Sequence, residues 1–112
     1  MNEKTTAAVL SVLGFARRAG VLLIGQDIVK SSLARRESLL VLFAGKDTSF
    51  QRSLQKGRYA EKCHLLNPPG ITEAELSAAI GSRNVKVVAL PLRSGFAQRI
   101  VQLLAEGGEG IE

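Results

Sequence analysis

The chain has 112 residues, which is enough for one domain with a core that needs no metal or disulfide to fold. Its single cysteine, Cys63, excludes an internal disulfide and favours a reducing compartment. No apolar run approaches the roughly 18 residues of a membrane span, and residues 1–4 do not begin a signal peptide. We therefore expect one cytoplasmic domain over residues 1–112, with no membrane partner and a flexible tail at 107–112.

The positive charge is concentrated in the first half of the chain. The formal net charge is +5 and the pI is about 9.9. Residues 1–60 contain ten Lys or Arg against four Asp or Glu, whereas residues 61–112 contain five against six. A basic half indicates a polyanionic partner, and nucleic acid ranks above an anionic membrane because no basic amphipathic helix is evident. The alternative is a basic surface that serves only solubility.

The first predicted element is a helix over residues 5–19, capped by Thr5 or Thr6 and ended by Gly20 in a left-handed conformation. Its apolar residues recur at helical spacing. Residues 21–24 follow as a short apolar strand, and a second helix is predicted over residues 27–36.

The turn at Gly25 joins that strand to that helix. The first N–H groups of a helix have no intrahelical partner and the helix dipole is positive there, so the turn is suited to receive an anion such as a nucleic-acid phosphate. The alternative is a purely structural turn in which Asp27 is the N-cap of the helix.

The order of strand, glycine turn and helix then recurs. Residues 39–44 are apolar throughout, as in a strand covered on both faces. Gly45 and polar residues lead into a basic helix predicted at 49–56. A strand is predicted at 63–66 and a capping box at Thr72 and Glu75 begins a helix that ends at Gly81. The loop 82–84 precedes a strand at 85–90, which Pro91 closes, and Ser94 caps the last helix.

Alternating helices and fully apolar strands predict an α/β protein with helices on both faces of a small, largely parallel or mixed sheet. If neighbouring strands run parallel, the turns at Gly25 and Gly45 open at the same edge of the sheet, where open α/β sheets bind ligands. Four basic residues near these turns are then expected to share one face: Arg17, Arg18, Lys30 and Lys46.

The sequence does not contain the elements of a catalytic or metal site. His64 and Cys63 are the only residues of their kinds, and neighbours on a strand point to opposite faces, so they cannot act as a nucleophile and its base. A zinc site needs more ligands than these two. We expect no enzyme activity, no cofactor and no metal.

The aromatic content limits how nucleic acid is recognised. The chain has one Tyr and four Phe, and most of the Phe residues are predicted to be in the core. Stacking on single-stranded bases is therefore not expected to be the main mode of binding. Recognition of structured RNA by shape and phosphate contact fits better.

Several segments resemble the bacterial branch of the ribosomal-protein L-seven-Ae/L-thirty-e superfamily. They are LSVLGFARRAG at 10–20, IGQDIV at 24–29, the strand 40–44 with KDTS at 46–49, the pair IG at 80–81, and SGFA at 94–97. The resemblance covers about residues 7–105. It implies a three-layer α/β/α sandwich around a four-stranded mixed sheet, and many proteins of this type bind kink-turns in structured RNA.

The resemblance also implies where RNA binds. The family's RNA turn begins with a Gly, matched by Gly25, but Asp27 stands where an Asn is common. Ile28 replaces a Glu, and Ser31 replaces a Lys, with Lys30 one position away. The second family contact is the loop before the last strand. The predicted RNA-binding residues are Gly25, Gln26, Asp27, Ile28, Lys30, Ser31, Lys46, Ser82, Arg83, Asn84 and Val85, with Arg17 and Arg18.

The sequence thus predicts a monomeric, non-catalytic protein of translation that binds structured RNA, either a kink-turn or ribosomal RNA, and associates with ribosomal or ribonucleoprotein components. The alternative is a protein-interaction module on the same fold that has lost RNA binding. The residues at 27, 28 and 31 favour the alternative, and the basic first half opposes it.

Overall fold

The structure, a computed structural model, describes residues 3–35, 37–44, 52, 63–66 and 71–106. Helices and strands alternate along the described chain. In order, they are α1 (Glu3–Arg18), β1 (Leu23–Ile24), α2 (Gln26–Ala34), β2 (Leu39–Phe43), β3 (Cys63–Leu66), α3 (Glu73–Ile80), β4 (Val87–Pro91) and α4 (Gly95–Glu106).

The strands lie in the order β1-β4-β2-β3. Strand β4 runs antiparallel to both of its neighbours, so that Ala89 pairs with Leu23 on one side and with Val41 on the other. Strand β3 is parallel to β2. Because β1 and β2 are both antiparallel to β4, they run in the same direction with β4 between them.

Every residue of β2 is buried, because successive side chains enter two different cores. Leu40 and Leu42 pack in a cluster that also contains residues of α1, α3 and α4. Leu39 and Val41 pack in a second cluster, together with Val29 and Leu33 of α2 and with residues of β4. Helix α2 therefore packs on one side of the sheet, and the other three described helices pack on the opposite side.

The helix ends follow local sequence signals. Gly20 has φ +76°, and the N–H groups of Gly20 and Val21 donate to the carbonyls of Arg17 and Ala16, which is a Schellman ending of α1. The Thr72 hydroxyl accepts from the Glu75 N–H at 3.1 Å, and a Glu75 carboxylate oxygen accepts in return from the Thr72 N–H at 3.3 Å.

The mixed α/β class, the capping signals of α3, the left-handed Gly20 and the helix end at Gly81 are confirmed, and Gly81 is left-handed as well. The Ser94 hydroxyl accepts from the Ala97 N–H at 3.1 Å, as expected of the α4 cap. The prediction that Thr5 or Thr6 caps α1 is wrong, because the helix already begins at Glu3 and both residues are buried within it.

Strand boundaries were predicted less well. Only Leu23 and Ile24 of the predicted strand 21–24 pair with β4, and β4 itself begins at Val87 rather than at residue 85. The predicted helix at 49–56, apart from Arg52, lies outside the described residues, as do Gly45, the turn at 67–70 and the tail at 107–112.

Candidate nucleic-acid interface

The first residues after β1 and β2 meet at the beginning of β4. The Gly25 N–H donates to the Val87 carbonyl and the Ala44 N–H donates to the Lys86 carbonyl, both at 3.0 Å. Gly25 and Ala44 thus flank the same end of β4, two strand spacings or about 10 Å apart. The premise that the two strands are neighbours is wrong, since β4 separates them. Gly25 and the end of β2 nevertheless lie at the same edge of the sheet, as predicted, because both strands end there.

Gly25 has a backbone conformation that other residues rarely adopt. Its φ is +97° and its ψ is 158°, and it is the N-cap of α2. A Cβ placed on Gly25 would meet no atom within 4 Å. The glycine is therefore required by its backbone angles and not by a lack of space.

The first turns of α2 present the predicted residues to solvent. Gln26, Asp27, Ile28, Lys30 and Ser31 are exposed, and Ile28 is 49% exposed despite being apolar. The alternative prediction that Asp27 is the N-cap is wrong, because Gly25 holds that position and no side chain caps the helix. Asp27 instead lies in the first turn, where a carboxylate interacts favourably with the helix dipole.

The loop between α3 and β4 forms the neighbouring part of the edge. Arg83 and Asn84 are exposed and Ser82 is half-buried. Asn84 has φ +55°, the left-handed conformation that asparagine tolerates better than most residues. The Val85 side chain is only 4% exposed, so this predicted RNA-binding residue is part of the core.

Two side chains outside the loop fix its ends. The Ser77 hydroxyl accepts from the Val85 N–H at 2.9 Å, and the Ser82 N–H donates to the Ser77 carbonyl at 3.1 Å. Arg17 donates from Nη1 to the carbonyl of Ile80, the last residue of α3. These bonds hold the loop between the end of a helix and the beginning of the central strand β4.

Ser77→Ala is expected to loosen this loop. The partly buried Val85 N–H would lose its acceptor, at a cost of about 1 kcal/mol in the free energy of unfolding. Hydrogen exchange at the Val85 amide should accelerate selectively. Ser94→Ala is a matched control, because it removes a serine acceptor from the Ala97 N–H and leaves the loop intact. Unchanged exchange at Val85 in Ser77→Ala would contradict the role given to this hydrogen bond.

The structure separates the basic residues that were expected to share one face. Arg17 and Arg18 end α1, on the opposite side of the sheet from α2 and Lys30. The guanidinium of Arg18 lies over the Phe15 ring, 4.7 Å from its centroid. Lys46 lies outside the described residues. The loop 82–84 lies between the two sides, because it connects α3 to β4.

Two exposed residues, one at this edge and one on α1, were not predicted. Lys86 is exposed, and its carbonyl binds the Ala44 N–H, so this lysine lies where the sheet edge is formed. The sequence signal for it was a basic residue at the start of the predicted strand 85–90, close to the loop. Phe15 is 56% exposed, and its position off the apolar stripe of α1 was the available signal.

Among the described residues, no group of three or more His, Cys, Asp or Glu residues is arranged to hold a metal ion. None of the described helices is long and apolar enough to cross a membrane.

Comparison with known proteins gives structural matches only. No model of a known protein family matches the sequence, and no curated protein matches it. A Bacillus halodurans C protein of unknown function superposes with a TM-score of 0.73 at 22% identity, over 87% of this chain and 96% of that one. The Giardia lamblia 15.5kD RNA binding protein superposes with a TM-score of 0.64 at 12% identity, over 95% and 89% of the two chains.

These likenesses show a shared fold. At such identities they do not extend to ligand or activity. The match to the Giardia lamblia protein spans nearly the whole of both chains.

Proposed function

We propose that the protein binds structured RNA at the sheet edge formed by the Gly25 turn, the first turns of α2 and the loop 82–84. The observation that carries the proposal is the convergence of these segments at the beginning of β4, through the hydrogen bonds of Gly25 and Ala44. The edge offers exposed basic side chains together with a helix N-terminus, which are the groups that bind phosphate.

The charge distribution supports this assignment. Lys30, Arg83 and Lys86 are exposed around the edge, and the first 60 residues hold ten basic residues against four acidic ones. The structural likeness to an RNA-binding protein points in the same direction. We assign the chain to the bacterial branch of the L-seven-Ae/L-thirty-e superfamily, with its three-layer α/β/α sandwich and four-stranded mixed sheet.

The finer assignment is a non-catalytic, monomeric, cytoplasmic protein of translation whose RNA is a kink-turn or part of ribosomal RNA. Within the RNA turn, Gly25 and Lys30 support it, whereas Asp27 and Ile28 change the contacts that the family makes with bases. A lost bidentate base contact removes about 1–3 kcal/mol of discrimination. We therefore expect phosphate contacts to supply more of the affinity here than base contacts.

A protein-interaction module is the second candidate function. The observation that favours it is Ile28, a large apolar side chain that is 49% exposed in the middle of the proposed face. Beside it, Asp27 adds a negative charge where phosphate would approach. A partner protein that covers Ile28 would bury apolar area, and its binding would depend weakly on salt.

A titration over a range of salt concentrations distinguishes the two candidates. Binding should be measured against a kink-turn RNA, a plain RNA duplex and tRNA. If RNA binding is mainly electrostatic, log affinity should fall linearly with log salt by about 0.7–0.9 for each phosphate neutralised, and the total slope should be several units. A preference for the kink-turn RNA supports the finer assignment. A flat salt dependence would overturn the proposed mode, and no binding to any of the three RNAs would overturn RNA binding.

Asp27→Asn is expected to raise the affinity for RNA about fivefold, because it removes a repulsion of about 1 kcal/mol between the carboxylate and a nearby phosphate. Stability should fall by about 0.3–1 kcal/mol, since the carboxylate no longer interacts with the dipole of α2. Competition binding and thermal unfolding measure the two effects.

Glu73→Gln is the matched control for Asp27→Asn. It removes the same charge from the first turn of a helix, but α3 begins at Glu73 and reaches the loop 82–84 only at its other end. The control should therefore lose similar stability without gaining affinity. If both variants gain affinity equally, the effect comes from net charge, and Asp27 does not face the RNA.

A further inference from the structure

On the side of the sheet that α1 covers, an exposed aromatic ring lies outside the proposed RNA edge. Phe15 is 56% exposed on α1, and it is one of three large hydrophobic residues exposed within the described part of the chain, with Ile28 and Val101. The Arg18 guanidinium lies 4.7 Å from the centroid of its ring. An aromatic ring with an arginine stacked on it combines the two planar groups on which unpaired bases stack in RNA complexes.

Close packing of α1 against α3 creates a groove beside this pair. A Cβ on Gly14 would lie 3.0 Å from the Ala79 carbonyl oxygen, so any larger residue would have to move the two helices apart by a few tenths of an ångström. The groove has a volume of about 270 Å³, and Leu10, Ser11, Gly14, Phe15, Arg18 and Ala79 line it. It offers a ligand a mixed polar and apolar lining, with the Arg18 cation and the Phe15 ring among its walls.

The groove lies beside the helix that leads into the proposed RNA edge. Ala79 lines the groove, and α3 ends one residue later at Ile80, before Gly81 and the loop 82–84. Arg17, the neighbour of Arg18, donates to the Ile80 carbonyl and lies 3.5 Å from the position of a Cβ on Gly81. The end of α1 that carries Phe15 and Arg18 is therefore hydrogen-bonded to the end of α3 from which the loop 82–84 starts.

We propose that Phe15 and Arg18 form a stacking site for one unpaired base of the bound RNA, with the phosphate of that nucleotide close to the Arg18 guanidinium. The proposal rests on the proposed function and adds a single-stranded contact to it. The charge of Arg18 favours a ligand that is both flat and anionic, which describes a nucleotide better than it describes an apolar segment of a protein.

The test compares a kink-turn RNA that carries a single-stranded adenosine extension with the same RNA without one. The wild-type protein should bind the extended RNA more tightly. Phe15→Ala should reduce affinity for the extended RNA by roughly fivefold to a hundredfold, the range for loss of one stacked base, and should leave affinity for the RNA without extension nearly unchanged. A 2-aminopurine placed in the extension should report stacking by its fluorescence.

Three further variants make the test specific. Phe15→Tyr keeps a ring and should retain the gain from the extension, whereas Phe15→Leu keeps apolar area without a ring and should lose it. Val101→Ala, which shortens another exposed apolar side chain on α4, should have no effect. Thermal unfolding of each variant identifies any loss of fold.

The outcomes separate this proposal from the proposed function. If the wild-type protein binds neither of these RNAs, nor the duplex and tRNA of the salt titration, RNA binding itself is wrong, and the stacking site falls with it. If it binds both RNAs equally, or if Phe15→Leu behaves as the wild type, only the stacking site is overturned. A wild-type dimer in sedimentation that Phe15→Ala dissociates would also overturn it, because Phe15 would then be covered by a second copy.

Discussion

Gly25→Ala is expected to lower the free energy of unfolding by about 1–3 kcal/mol. The φ of +97° and ψ of 158° at Gly25 lie in a region that is essentially restricted to glycine, so an alanine must either adopt strained angles or move the turn. Moving the turn would break the bond from the Gly25 N–H to Val87 and shift the beginning of α2, so RNA affinity should fall as well. Denaturant unfolding and RNA titration measure the two losses.

Gly95→Ala is the matched control for this prediction. A Cβ at either glycine meets no atom within 4 Å, but Gly95 has no positive φ and lies in the first turn of α4. The same added methyl should therefore leave stability unchanged or raise it by about 0.4–1 kcal/mol. Equal stability of the two variants would show that the Gly25 backbone conformation is not under strain.

Arg83→Glu is expected to weaken RNA binding about thirtyfold. A charge about 4 Å from a phosphate in water contributes about 1 kcal/mol, and its reversal replaces that attraction with a similar repulsion. The slope of log affinity against log salt should also fall by about one unit, because one fewer phosphate is neutralised. Arg83 is exposed in the loop 82–84, so the fold should be unaffected.

Arg93→Glu provides the comparison for Arg83→Glu. It makes the same substitution at an exposed site, but Arg93 follows the end of β4 and lies at the opposite edge of the sheet. If the proposed face is right, this variant should lose only the small amount of RNA affinity that follows from its lower net charge. Equal losses at the two arginines would mean that RNA binds through overall charge and that this edge has no special role.

Much of the fold was predictable because its signals are local. The fully apolar run at 39–44 is typical of a buried strand, and Thr72 with Glu75 forms a capping box at the first turn of α3. The position of Leu23 and Ile24 was harder to predict. Only two residues pair there, and their partners in β4 lie far along the chain.

The candidate site was predicted in part for a similar reason. The exposure of the first turns of α2 follows from the helical spacing of Val29 and Leu33, which turns the intervening residues to solvent. That α1 and α2 lie on opposite sides of the sheet depends on the strand order, which no local pattern encodes. The role of Ser77 was missed because its hydroxyl accepts from the N–H of Val85, which lies eight residues later in the sequence, beyond the end of α3.

The position of β4 between β1 and β2 has a consequence for how the protein is synthesised. Strands β1 and β2 leave the ribosome before β4, with which both of them pair. Pairs so distant in sequence carry a high entropic cost of loop closure and form slowly. A nascent chain that has not yet emerged beyond Pro91 lacks the acceptors at Lys86 and Val87 that hold the Ala44 and Gly25 amides. Competence to bind RNA should therefore arise only after β4 has emerged from the ribosome.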